Sequence, residues 1–561
     1  MLAITVGGGM VIEHDMIGIH TSGLAITPDH SMPQVVAHVA TRYGDKPFAV
    51  GEDGRVTSFA AFETRVAGLG RRLLDLGVKP GDRVAIWAPN SVEWIIAATA
   101  AECIGAIMVP VNTRFKGLEA RYVLETARAT ALFTTGGFLG IDFVEMLGSV
   151  TGGATAGRPF ADLPHLAHVI RMDEPDFAPA EVIAAARQPY AEAAAQVTPA
   201  TIIDILYTSG TTGYPKGAMH NHGQAVLMVM LYNTTNDLRA DDRAVVINPF
   251  FHSFGYRSGW MSALVAGMTV YPIAMFDPGQ VLALIDRERI SVLAGAPAIF
   301  HSLINHPDLG RYAIGSLRSG HTGGAKTPPD IIRAGYETLG FDIFLTSYGQ
   351  TEATALISTN LPGDPLETIQ TTVGRPLPGV EVRIVDAAGQ PVQPDESGEL
   401  LVRGPLVMQG YFENPTATAA AIDSDGWLHT GDVAVQQADG RLRILDRMKD
   451  VVIVGGFNAY PVEIELMLAT HPAIAEVAVI GVADDRLGEV CAACVILKPG
   501  ETLTLEALTA WSRERMANYK VPRALHLMEA FPRTPLSKVQ KFKLVEAIHG
   551  SPPAAGTERA E

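Results

Sequence analysis

The sequence predicts an α/β fold, in which a large N-terminal domain of alternating strands and helices plus a small β unit precedes a small, mobile α+β C-terminal domain. Apolar residues recur at helical spacing over residues 59–76, whereas residues 83–87 form a short apolar run typical of a buried strand. Residues 380–385 and 398–403 alternate between apolar and polar side chains, as half-buried strands do. After Asp446 the pattern changes to closely spaced strands and helices. Such alternation is typical of α/β domains.

The length of the chain fits this division. Its 561 residues accommodate three or four units at roughly 150 residues per domain. We expect the chain to divide as follows: a loose leader over 1–30, a large domain over 31–446, a hinge at 447–449, a small domain over 450–550 and a disordered tail over 551–561.

Two stretches of the large domain need separate interpretation. Residues 136–199 are less periodic and rich in Gly, Ala and Pro, so we expect a surface excursion between two halves of the domain. Residues 94–111 carry a single charge, Glu102, and are long enough to cross a bilayer. Gly105, however, stands where a helix would end, and the residues after it are typical of a strand. We therefore expect a helix followed by a strand and no integral membrane segment.

Composition excludes several classes of protein. The chain is 47% hydrophobic and 18% charged, which is enough to build large cores. A formal net charge of -17 argues against a nucleic-acid binder. The three cysteines are too few for a disulfide scaffold and fit a reducing, cytoplasmic location. Cys491 and Cys494 form a C-x-x-C on a predicted strand, where residues three apart face opposite sides, so we expect no redox or metal role.

The most informative stretch is the loop over residues 207–217, YTSGTTGYPKG, which follows the apolar run at 202–206. Its glycines let the backbone approach a ligand, its hydroxyls and amides are neutral donors, and Lys216 adds a positive charge. A turn rich in amides forms an anion-binding concavity, which suits polyphosphate. The spacing of a Walker A loop is absent. The alternative is an ordinary polar surface loop.

Two further segments follow predicted strands. In 347–352, SYGQTE, an aromatic ring offers a stacking face, and a hydroxyl and the Glu352 carboxylate suit Mg²⁺, which takes one or two carboxylates plus substrate phosphates. The same residues would also begin a helix, with Thr351 and Glu352 capping its amides. In 321–325, HTGGA, small residues would let a flat base or an acyl group lie on the backbone, although a plain turn fits equally well.

Single residues complete the set of candidates. Asp432 could accept hydrogen bonds from ribose hydroxyls, or be a turn aspartate. Arg447 could bind ribose or phosphate, or be a solvated boundary charge. Lys538 lies in a tail loop where most lysines are simply exposed. His252 stands between aromatic residues, where a structural hydrogen bond is the more common role. No second histidine stands at metal spacing, so we predict no zinc site.

Together and in this order, these motifs resemble the adenylate-forming acyl-CoA synthetase superfamily, which also holds luciferases and the adenylation domains of peptide synthetases. The resemblance runs from about residue 30 to about 545, and the loop at 207–217 is its most specific match. Residues 248–259 and 348–353 look closest to bacterial ligases that activate the bicyclic indanedione propanoate left by steroid ring breakdown.

The resemblance implies a two-step reaction that uses ATP, Mg²⁺ and coenzyme A. A small carboxylic acid and MgATP give an acyl-adenylate and pyrophosphate, and the CoA thiol then displaces AMP. By analogy, the catalytic residues are Lys538, His252, Glu352 and Thr208, and Glu352 and Thr208 also bind the metal. The resemblance assigns the phosphates to Thr208, Ser209, Gly210, Thr211, Thr212 and Lys216; the adenine and α-phosphate region to Gly324, Ala325, Tyr348, Gly349 and Thr351; the ribose to Asp432 and Arg447; and the pantetheine channel to Gly455, Gly456 and Phe457.

The resemblance also implies that the small domain turns about Lys449 between the two steps, because only the first step needs Lys538. The sequence departs from the family at Ser537, where a glycine is usual, and at Gly455-Gly456, where Lys-Gly or Ser-Gly is common. We expect the acid pocket near His252, Phe254, Tyr256, Gly323 and Ala353. Small residues there indicate room for an acid bulkier than acetate, but a linear medium-chain acid, an aryl acid and a ring remnant all stay open.

Two other functions stay open at this point. A relative of this kind could load the phosphopantetheine of a carrier protein instead of CoA, or could bind nucleotide or acyl-CoA without catalysis. The presence of Lys216, Glu352, Asp432, Arg447 and Lys538 argues against the non-catalytic alternative. Relatives are often dimers, so a homodimer is a further expectation.

Overall fold

The computed structural model describes residues 4–6, 10–12, 26–152, 159–174, 177–178, 184–208, 215–454, 457–484, 487–534, 538–550 and 558–559. Most of the predicted leader and tail lie outside these residues. The chain forms two compact units, which we describe separately: the first comprises Met1–Glu381 and Val402–Leu428, the second Val382–Leu401 and His429–Glu561. The second unit thus includes a β segment that the sequence analysis assigned to the large domain.

Two mixed sheets form the framework of the first unit. In the described part of the chain, the strands of the first sheet are, in spatial order, Gly410–Tyr411, Lys216–Asn221, Ile202–Thr208, Ile107–Pro110, Arg83–Trp87, Ala129–Thr134 and His168–Arg171. Those of the second are Arg375–Pro376, Ser358–Thr359, Ile343–Tyr348, Ser319–Thr322, Val292–Gly295, Arg243–Val246, Thr269–Pro272, Pro47–Val50 and Val56–Ser58. The central strands of both sheets run parallel, and their buried apolar residues match the continuous apolar runs expected of strands covered on both faces.

Helices connect and cover these strands, as the alternating pattern predicts. Many begin at a side chain that accepts from their first amides, for example Ser58, Ser91 and Asp277. The α-helices of the first unit are Met32–Tyr43, Phe59–Asp75, Val92–Cys103, Gly117–Thr126, Phe143–Gly148, Ala184–Ala194, His222–Thr235, Ser253–Gly255, Ser262–Ala266, Pro278–Glu288, Pro297–Ile304, Pro329–Glu337, Leu366–Thr371 and Pro415–Ala421. A π-helix spans Tyr256–Met261, and 3₁₀ turns span Leu309–Arg311 and Thr351–Ala353.

The stretch at 94–111 folds as predicted. The helix Val92–Cys103 ends before Gly105, which has a φ of 77°, and the strand Ile107–Pro110 follows. Glycine adopts this left-handed conformation without the steric cost that a Cβ brings. Within the described residues, none of the helices has the length and apolar character needed to cross a membrane.

The interpretation of residues 136–199 as a surface excursion was wrong in part. The strand His168–Arg171 pairs in parallel with Ala129–Thr134 and so extends the first sheet. Phe160, Leu163 and Leu166 are buried in the core of the same sheet. The apolar residues of this stretch follow neither the helical nor the strand periodicity throughout, because helix, loop and a four-residue strand succeed one another within it.

The second unit contains a small antiparallel sheet and an α+β segment. The sheet consists of Glu381–Val385, Ser397–Arg403, Leu428–Gln436 and Leu442–Arg447. Among the described residues, the α+β segment holds the strands Val452–Val454, Phe457–Ala459, Ile474–Asp484, Gly488–Leu497, Ala524–Leu527 and Glu558–Arg559; the helices Pro461–Leu468, Leu505–Arg513 and Lys541–Gly550; and 3₁₀ turns at Met448–Asp450 and Asn518–Lys520. The remaining described strands, Ile4–Val6 and Met10–Ile12, pair with each other.

The cysteines are free and buried. Desolvation raises the pKa of Cys491 and of Cys494 to about 12, so both thiols are protonated at neutral pH.

Candidate active site

The predicted phosphate loop connects two paired strands. Ile202–Thr208 and Lys216–Asn221 run antiparallel, and Thr208 lies opposite Lys216 in the register. The loop residues Ser209, Gly210, Thr211 and Thr212 lie outside the described residues, so their phosphate contacts stay a prediction. The pairing of Thr208 with Lys216 nevertheless brings the two ends of the loop together where these two strands of the first sheet meet the loop.

Glu352 lies next to this closure. Its Oε1 accepts from the Thr208 hydroxyl at 3.0 Å and from the Tyr411 hydroxyl at 3.0 Å. The Lys216 Nζ lies 5.3 Å from the centre of the Tyr411 ring, within the range of a cation–π interaction. Burial and the neighbouring Glu352 carboxylate raise the pKa of Tyr411, which keeps its hydroxyl protonated as a donor. The structure thus brings Thr208, Lys216 and Glu352 together, and it adds Tyr411, which the sequence analysis missed.

A strained turn carries Glu352. The segment Thr351–Ala353 is a 3₁₀ turn, followed by Thr354 at a φ of 52° and Ala355 at 82°. A non-glycine residue in this region is uncommon, and such strain is found mostly at functional sites. Gly349 is required just before the turn, because a Cβ there would lie 1.9 Å from the Ala355 carbonyl oxygen.

Tyr348 and the small residues of the predicted adenine slot lie at strand ends of the second sheet. Tyr348 is the half-buried last residue of the strand Ile343–Tyr348. Gly324 and Ala325 are exposed just beyond the parallel neighbour, Ser319–Thr322. The carboxyl ends of parallel strands are the usual position for a ligand in such sheets. Adenine binding by these residues stays a prediction.

The predicted acid pocket begins at His252. Its Nδ1 accepts from the amide of Phe254 at 3.1 Å, which caps the short helix Ser253–Gly255. Desolvation lowers the pKa of His252 to about 4, so the imidazole is neutral at physiological pH. A neutral ring whose Nδ1 accepts a hydrogen bond carries its proton on Nε2.

Tyr256, also predicted to line the acid pocket, is 0% exposed. Its hydroxyl donates to Glu102 Oε1 at 2.8 Å, and its ring packs against Trp260 with centroids 5.2 Å apart. Burial raises the pKa of Glu102 to about 8, so this carboxyl is mostly protonated at neutral pH. The structure gives Tyr256 an interior contact, and its contact with an acid stays a prediction.

A polar pair that the sequence analysis missed lies beside Gly323 and Phe254. His321 Nε2 and Ser347 Oγ are 2.7 Å apart, and His321 Nδ1 lies 2.9 Å from Asn236 Oδ1. Asn236 donates through its amide nitrogen elsewhere, so its oxygen accepts from Nδ1 and Ser347 donates to Nε2. Desolvation lowers the pKa of His321 to about 3, in agreement with a neutral ring. The signal in the sequence was a histidine inside a strand that is otherwise small and buried.

In the second unit, the predicted ribose residues lie opposite each other on neighbouring strands. Asp432 and Arg447 are cross-strand partners, and Arg447 Nε lies 2.7 Å from Asp432 Oδ1. The amide of Asp432 also donates to the Thr430 hydroxyl at 3.1 Å. An aspartate held in this way is an ionised acceptor, as a ribose diol requires. The structure brings Asp432 and Arg447 together; their binding of ribose stays a prediction.

Lys538 is an exposed residue of a tight loop. Its amide donates to the Thr534 hydroxyl at 3.1 Å and its carbonyl accepts from the Thr534 amide at 2.7 Å. Desolvation and the nearby Arg447 lower the pKa of Lys538, while Asp432 opposes this shift. Lys449, the predicted hinge, is exposed in the turn Met448–Asp450. Gly455 and Gly456 lie outside the described residues, and Phe457 begins the strand Phe457–Ala459.

The donor set at Glu352 fits a magnesium ion. A carboxylate and the Thr208 hydroxyl are hard oxygen donors, and Mg²⁺ is commonly held by one or two carboxylates together with substrate phosphates. In the described parts of the chain, no cluster of three or more His, Cys, Asp or Glu side chains is arranged to hold a metal by itself.

Comparisons with known proteins agree with this arrangement. A family model described as AMP-binding enzyme matches residues 36–412, and one described as AMP-binding enzyme C-terminal domain matches residues 463–538. Relatives from Rhodococcus jostii (strain RHA1) and Mycobacterium tuberculosis (strain ATCC 25618 / H37Rv) are each 41% identical, over 527 and 521 residues respectively, or 92% of this chain and 98% of each relative. Both are named 3-[(3aS,4S,7aS)-7a-methyl-1,5-dioxo-octahydro-1H-inden-4-yl]propanoyl:CoA ligase.

A solved structure shows the same fold. The anthranilate CoA ligase AuaEII in complex with anthranoyl-AMP matches with a TM-score of 0.81 at 27% identity, covering 93% of this chain and 98% of that one. The chain therefore belongs to the AMP-binding enzymes. Within that family it is an acyl-CoA ligase, which uses ATP to activate a carboxylic acid as an acyl-adenylate and then forms the CoA thioester.

Proposed function

We propose that this acyl-CoA ligase activates a fused-ring propanoate that carries ring oxygens, as formed when a steroid ring system is broken down. The observation that carries the proposal is the 41% identity, over 92% of the chain, to two relatives named for a dioxo-octahydroindenyl propanoate. The relatives' substrate has a rigid bicyclic body, two ketones and a short acid arm. A matching pocket needs a flat apolar wall and a polar group at some distance from the carboxylate.

The residues around Gly323 suit such an acid. A Cβ at Gly323 would lie 3.6 Å from Ser347 Oγ and 4.0 Å from the Phe254 ring, so an aromatic face and a hydroxyl border the same small residue. A saturated ring packs on the Phe254 face, where Gly323 leaves room for it.

The first step places charge at the α-phosphate, and we propose roles in this step for Glu352, Thr208, Lys538 and Asp432. Glu352 and Thr208 would hold Mg²⁺, which would supply Lewis-acid stabilisation of the phosphate oxygens. Glu352 holds its orientation through the bonds from Thr208 and Tyr411. Lys538 places its ammonium between the acid and the α-phosphate, where the charge develops. Asp432 accepts from the ribose.

The second step needs a different arrangement, because CoA must reach the acyl carbon. The proposal assigns this change to a rotation of the small domain about Lys449, with the segment from Gly455 to Phe457 lining the pantetheine channel. His252, neutral with its proton on Nε2, borders the acid and separates it from the thiol path. We further propose that the enzyme works in the cytoplasm and as a homodimer; the free cysteines fit a reducing compartment.

A panel of acids tests the substrate. Pyrophosphate release is measured with MgATP and an octahydroindane-dione propanoate, hexanoate, octanoate, benzoate or acetate, and the products formed with CoA or with a phosphopantetheinylated carrier protein are identified by mass spectrometry. We expect the highest kcat/KM for the fused-ring acid and an acyl-CoA product. A higher kcat/KM for octanoate or benzoate contradicts the substrate proposal, and a product found only on the carrier contradicts the acceptor.

A matched pair of glycine variants sharpens the test. Gly323→Ala adds a methyl group between Phe254 and Ser347, whereas Gly315→Ala adds one in open space. We expect Gly323→Ala to raise the KM for the fused-ring acid several-fold and to leave the KM for MgATP unchanged, because a misplaced methylene is worth about 1–3 kcal/mol in a pocket. Gly315→Ala changes neither. Equal kinetics of both variants with the fused-ring acid would contradict the assignment of Gly323 to the acid pocket.

A further inference from the structure

A buried histidine links a charged pair in the interior to the turn that carries Glu352. His220 lies on the strand Lys216–Asn221, directly after the phosphate loop, and is 0% exposed. Its Nδ1 lies 2.7 Å from Asp204 Oδ1, and its Nε2 lies 2.7 Å from the Thr351 carbonyl oxygen. A carbonyl oxygen only accepts hydrogen bonds, and so does an ionised carboxylate. Both ring nitrogens therefore donate, and His220 carries two protons.

The carboxylate at the other end of this link is ionised because a second cation holds it. Arg257 Nη2 lies 2.7 Å from Asp204 Oδ2, and both side chains are 0% exposed. Although burial opposes the charge, Arg257 and His220 keep the pKa of Asp204 below its ordinary value. Buried charges are retained at a high desolvation cost, so this arrangement adds little to stability and fits a role in positioning.

The turn whose Thr351 carbonyl accepts from His220 has a strained backbone, which surrounding hydrogen bonds must hold in place. Thr354 and Ala355 hold left-handed φ values of 52° and 82°, and this strain persists only where the surroundings fix the backbone. In the described part of the chain, several separate segments form hydrogen bonds with the turn, and the bond from His220 has a charged donor. The others are Met408 amide to Glu352 carbonyl at 2.9 Å, Thr354 hydroxyl to Leu406 carbonyl at 2.5 Å, and the Thr208 and Tyr411 hydroxyls to the Glu352 carboxylate.

We propose that His220 is a positioning residue: the Arg257–Asp204–His220 relay holds the Thr351 carbonyl and thereby sets the orientation in which Glu352 meets the metal–nucleotide. The inference rests on the proposed metal role of Glu352. Arg257 lies on the π-helix Tyr256–Met261, which follows His252 and Phe254, so the same relay joins the acid side of the site to the metal side. An outer residue of this kind typically contributes 10–100-fold to metal affinity or activity.

The test uses two histidines of one segment that point to different partners. His220→Leu removes the bond to Thr351, whereas His220→Gln keeps an amide donor toward the carbonyl. His222→Asn is the control: His222 is equally buried, but its Nδ1 accepts from the Met32 amide at 3.1 Å, and an asparagine oxygen can accept the same bond. Binding of Mn²⁺ with a non-hydrolysable ATP analogue is followed by electron paramagnetic resonance, and pyrophosphate release is measured against Mg²⁺ concentration.

We expect His220→Leu to weaken Mn²⁺–nucleotide binding about tenfold or more and to raise the Mg²⁺ requirement, with the KM for the acid unchanged. His220→Gln recovers most of the affinity, and His222→Asn binds like the wild type even where its melting temperature falls. His220→Leu with wild-type metal binding and Mg²⁺ dependence overturns the inference. A wild-type protein that releases no pyrophosphate with any acid overturns the proposed function instead.

A second measurement keeps the inference falsifiable if the leucine variant does not fold. Nitrogen-15 NMR of the wild-type protein, with labelled histidine and His220→Gln as the assignment control, reports how many ring nitrogens carry protons. Two protonated nitrogens at neutral pH support the relay. An unprotonated nitrogen at His220 overturns it, because one of the two hydrogen bonds would then lack its donor.

Discussion

Each unit holds a charged network beside a proposed catalytic residue; the network is fully buried in the first unit and partly exposed in the second. In the first unit, Arg257, Asp204 and His220 end on the Thr351 carbonyl, one residue from Glu352. In the second, Lys541 Nζ lies 2.8 Å from Glu465 Oε1. Lys541 is the first residue of the helix Lys541–Gly550, which begins three residues after Lys538.

The difference distinguishes a side chain that several segments hold in place, Glu352, from one that is exposed, Lys538. Glu352 is bonded through its side chain and its own carbonyl, so its position is set by several segments at once. Lys538 is exposed, and the charged network of its unit stops at Lys541, at the base of the loop. A metal–phosphate site gains from a preorganised ligand. A lysine that acts in only one of two steps requires an anchored loop backbone and an ammonium group that can leave the site.

The largest effect is expected from Lys538→Ala. Removing the charge that we propose to stabilise the adenylation transition state should lower kcat for pyrophosphate release by about 10³-fold, at the upper end of effects measured for single stabilising groups. Thioester formation from supplied acyl-adenylate and CoA should be spared. Lys543→Ala, an exposed lysine nearby, is the control and should change neither rate. Full overall activity of Lys538→Ala would refute the role.

Lys541→Met tests the base of the loop. The Lys541 and Glu465 side chains are 16% and 19% exposed, and Glu465 Oε1 also accepts from the Val479 amide at 2.7 Å. Removing one partner leaves the other as an uncompensated buried charge, so we expect a loss of about 3 kcal/mol in the free energy of unfolding. Urea unfolding of the full chain measures it, with Lys543→Met as the exposed control. A loss no larger than that of the control would show that the pair does not anchor this helix.

Candidate site residues that belong to short contiguous patterns could be predicted from the sequence. Strand, loop and turn patterns identify Thr208, Lys216 and Glu352, because each follows a short apolar run. The network behind them could not be predicted, since it joins residues 16 to 131 positions apart. The sequence feature that points to this network is Asp204, a charged residue inside the apolar strand Ile202–Thr208. A charge in a buried strand indicates a partner but does not say which one.

The fold shows the same division. Long periodic segments such as Phe59–Asp75 were predicted to within a residue or two. Residues 136–199 were not, because the strand His168–Arg171 obtains its place from pairing with Ala129–Thr134, which composition does not reveal. Strand preference depends more on neighbours than helix preference does.

Glu352→Gln probes the fixed group itself. The amide keeps an oxygen for the Thr208 and Tyr411 hydroxyls but removes the charge that the metal requires. We expect kcat for pyrophosphate release to fall about 10²-fold, with a higher Mg²⁺ requirement. Glu367→Gln, an exposed glutamate in the first turn of the helix Leu366–Thr371, is the control. If the variant's dependence on Mg²⁺ matches that of the wild type, Glu352 is not a metal ligand.

The smallest effect concerns Glu102, which lies beside the relay in the first unit and is fully buried. Burial raises its pKa from 4.5 to about 8. A carboxyl whose pKa is higher in the folded than in the unfolded state binds its proton more tightly when folded. Its contribution to stability is therefore complete below pH 4.5 and is lost as pH rises through 8.

Between pH 7 and pH 8 the wild type should thus lose about 1 kcal/mol of unfolding free energy through this group. The pKa values of His222, His252 and His321 are lowered to about 3, 4 and 3, so the linkage of these three side chains to folding lies mainly below pH 6.5. Glu102→Gln keeps an oxygen for the Tyr256 hydroxyl and removes the titration. Urea unfolding at the two pH values should show the loss in the wild type and not in the variant. Equal losses in both proteins would mean that Glu102 is already ionised at pH 7, and that the interior beside Arg257 tolerates a second negative charge.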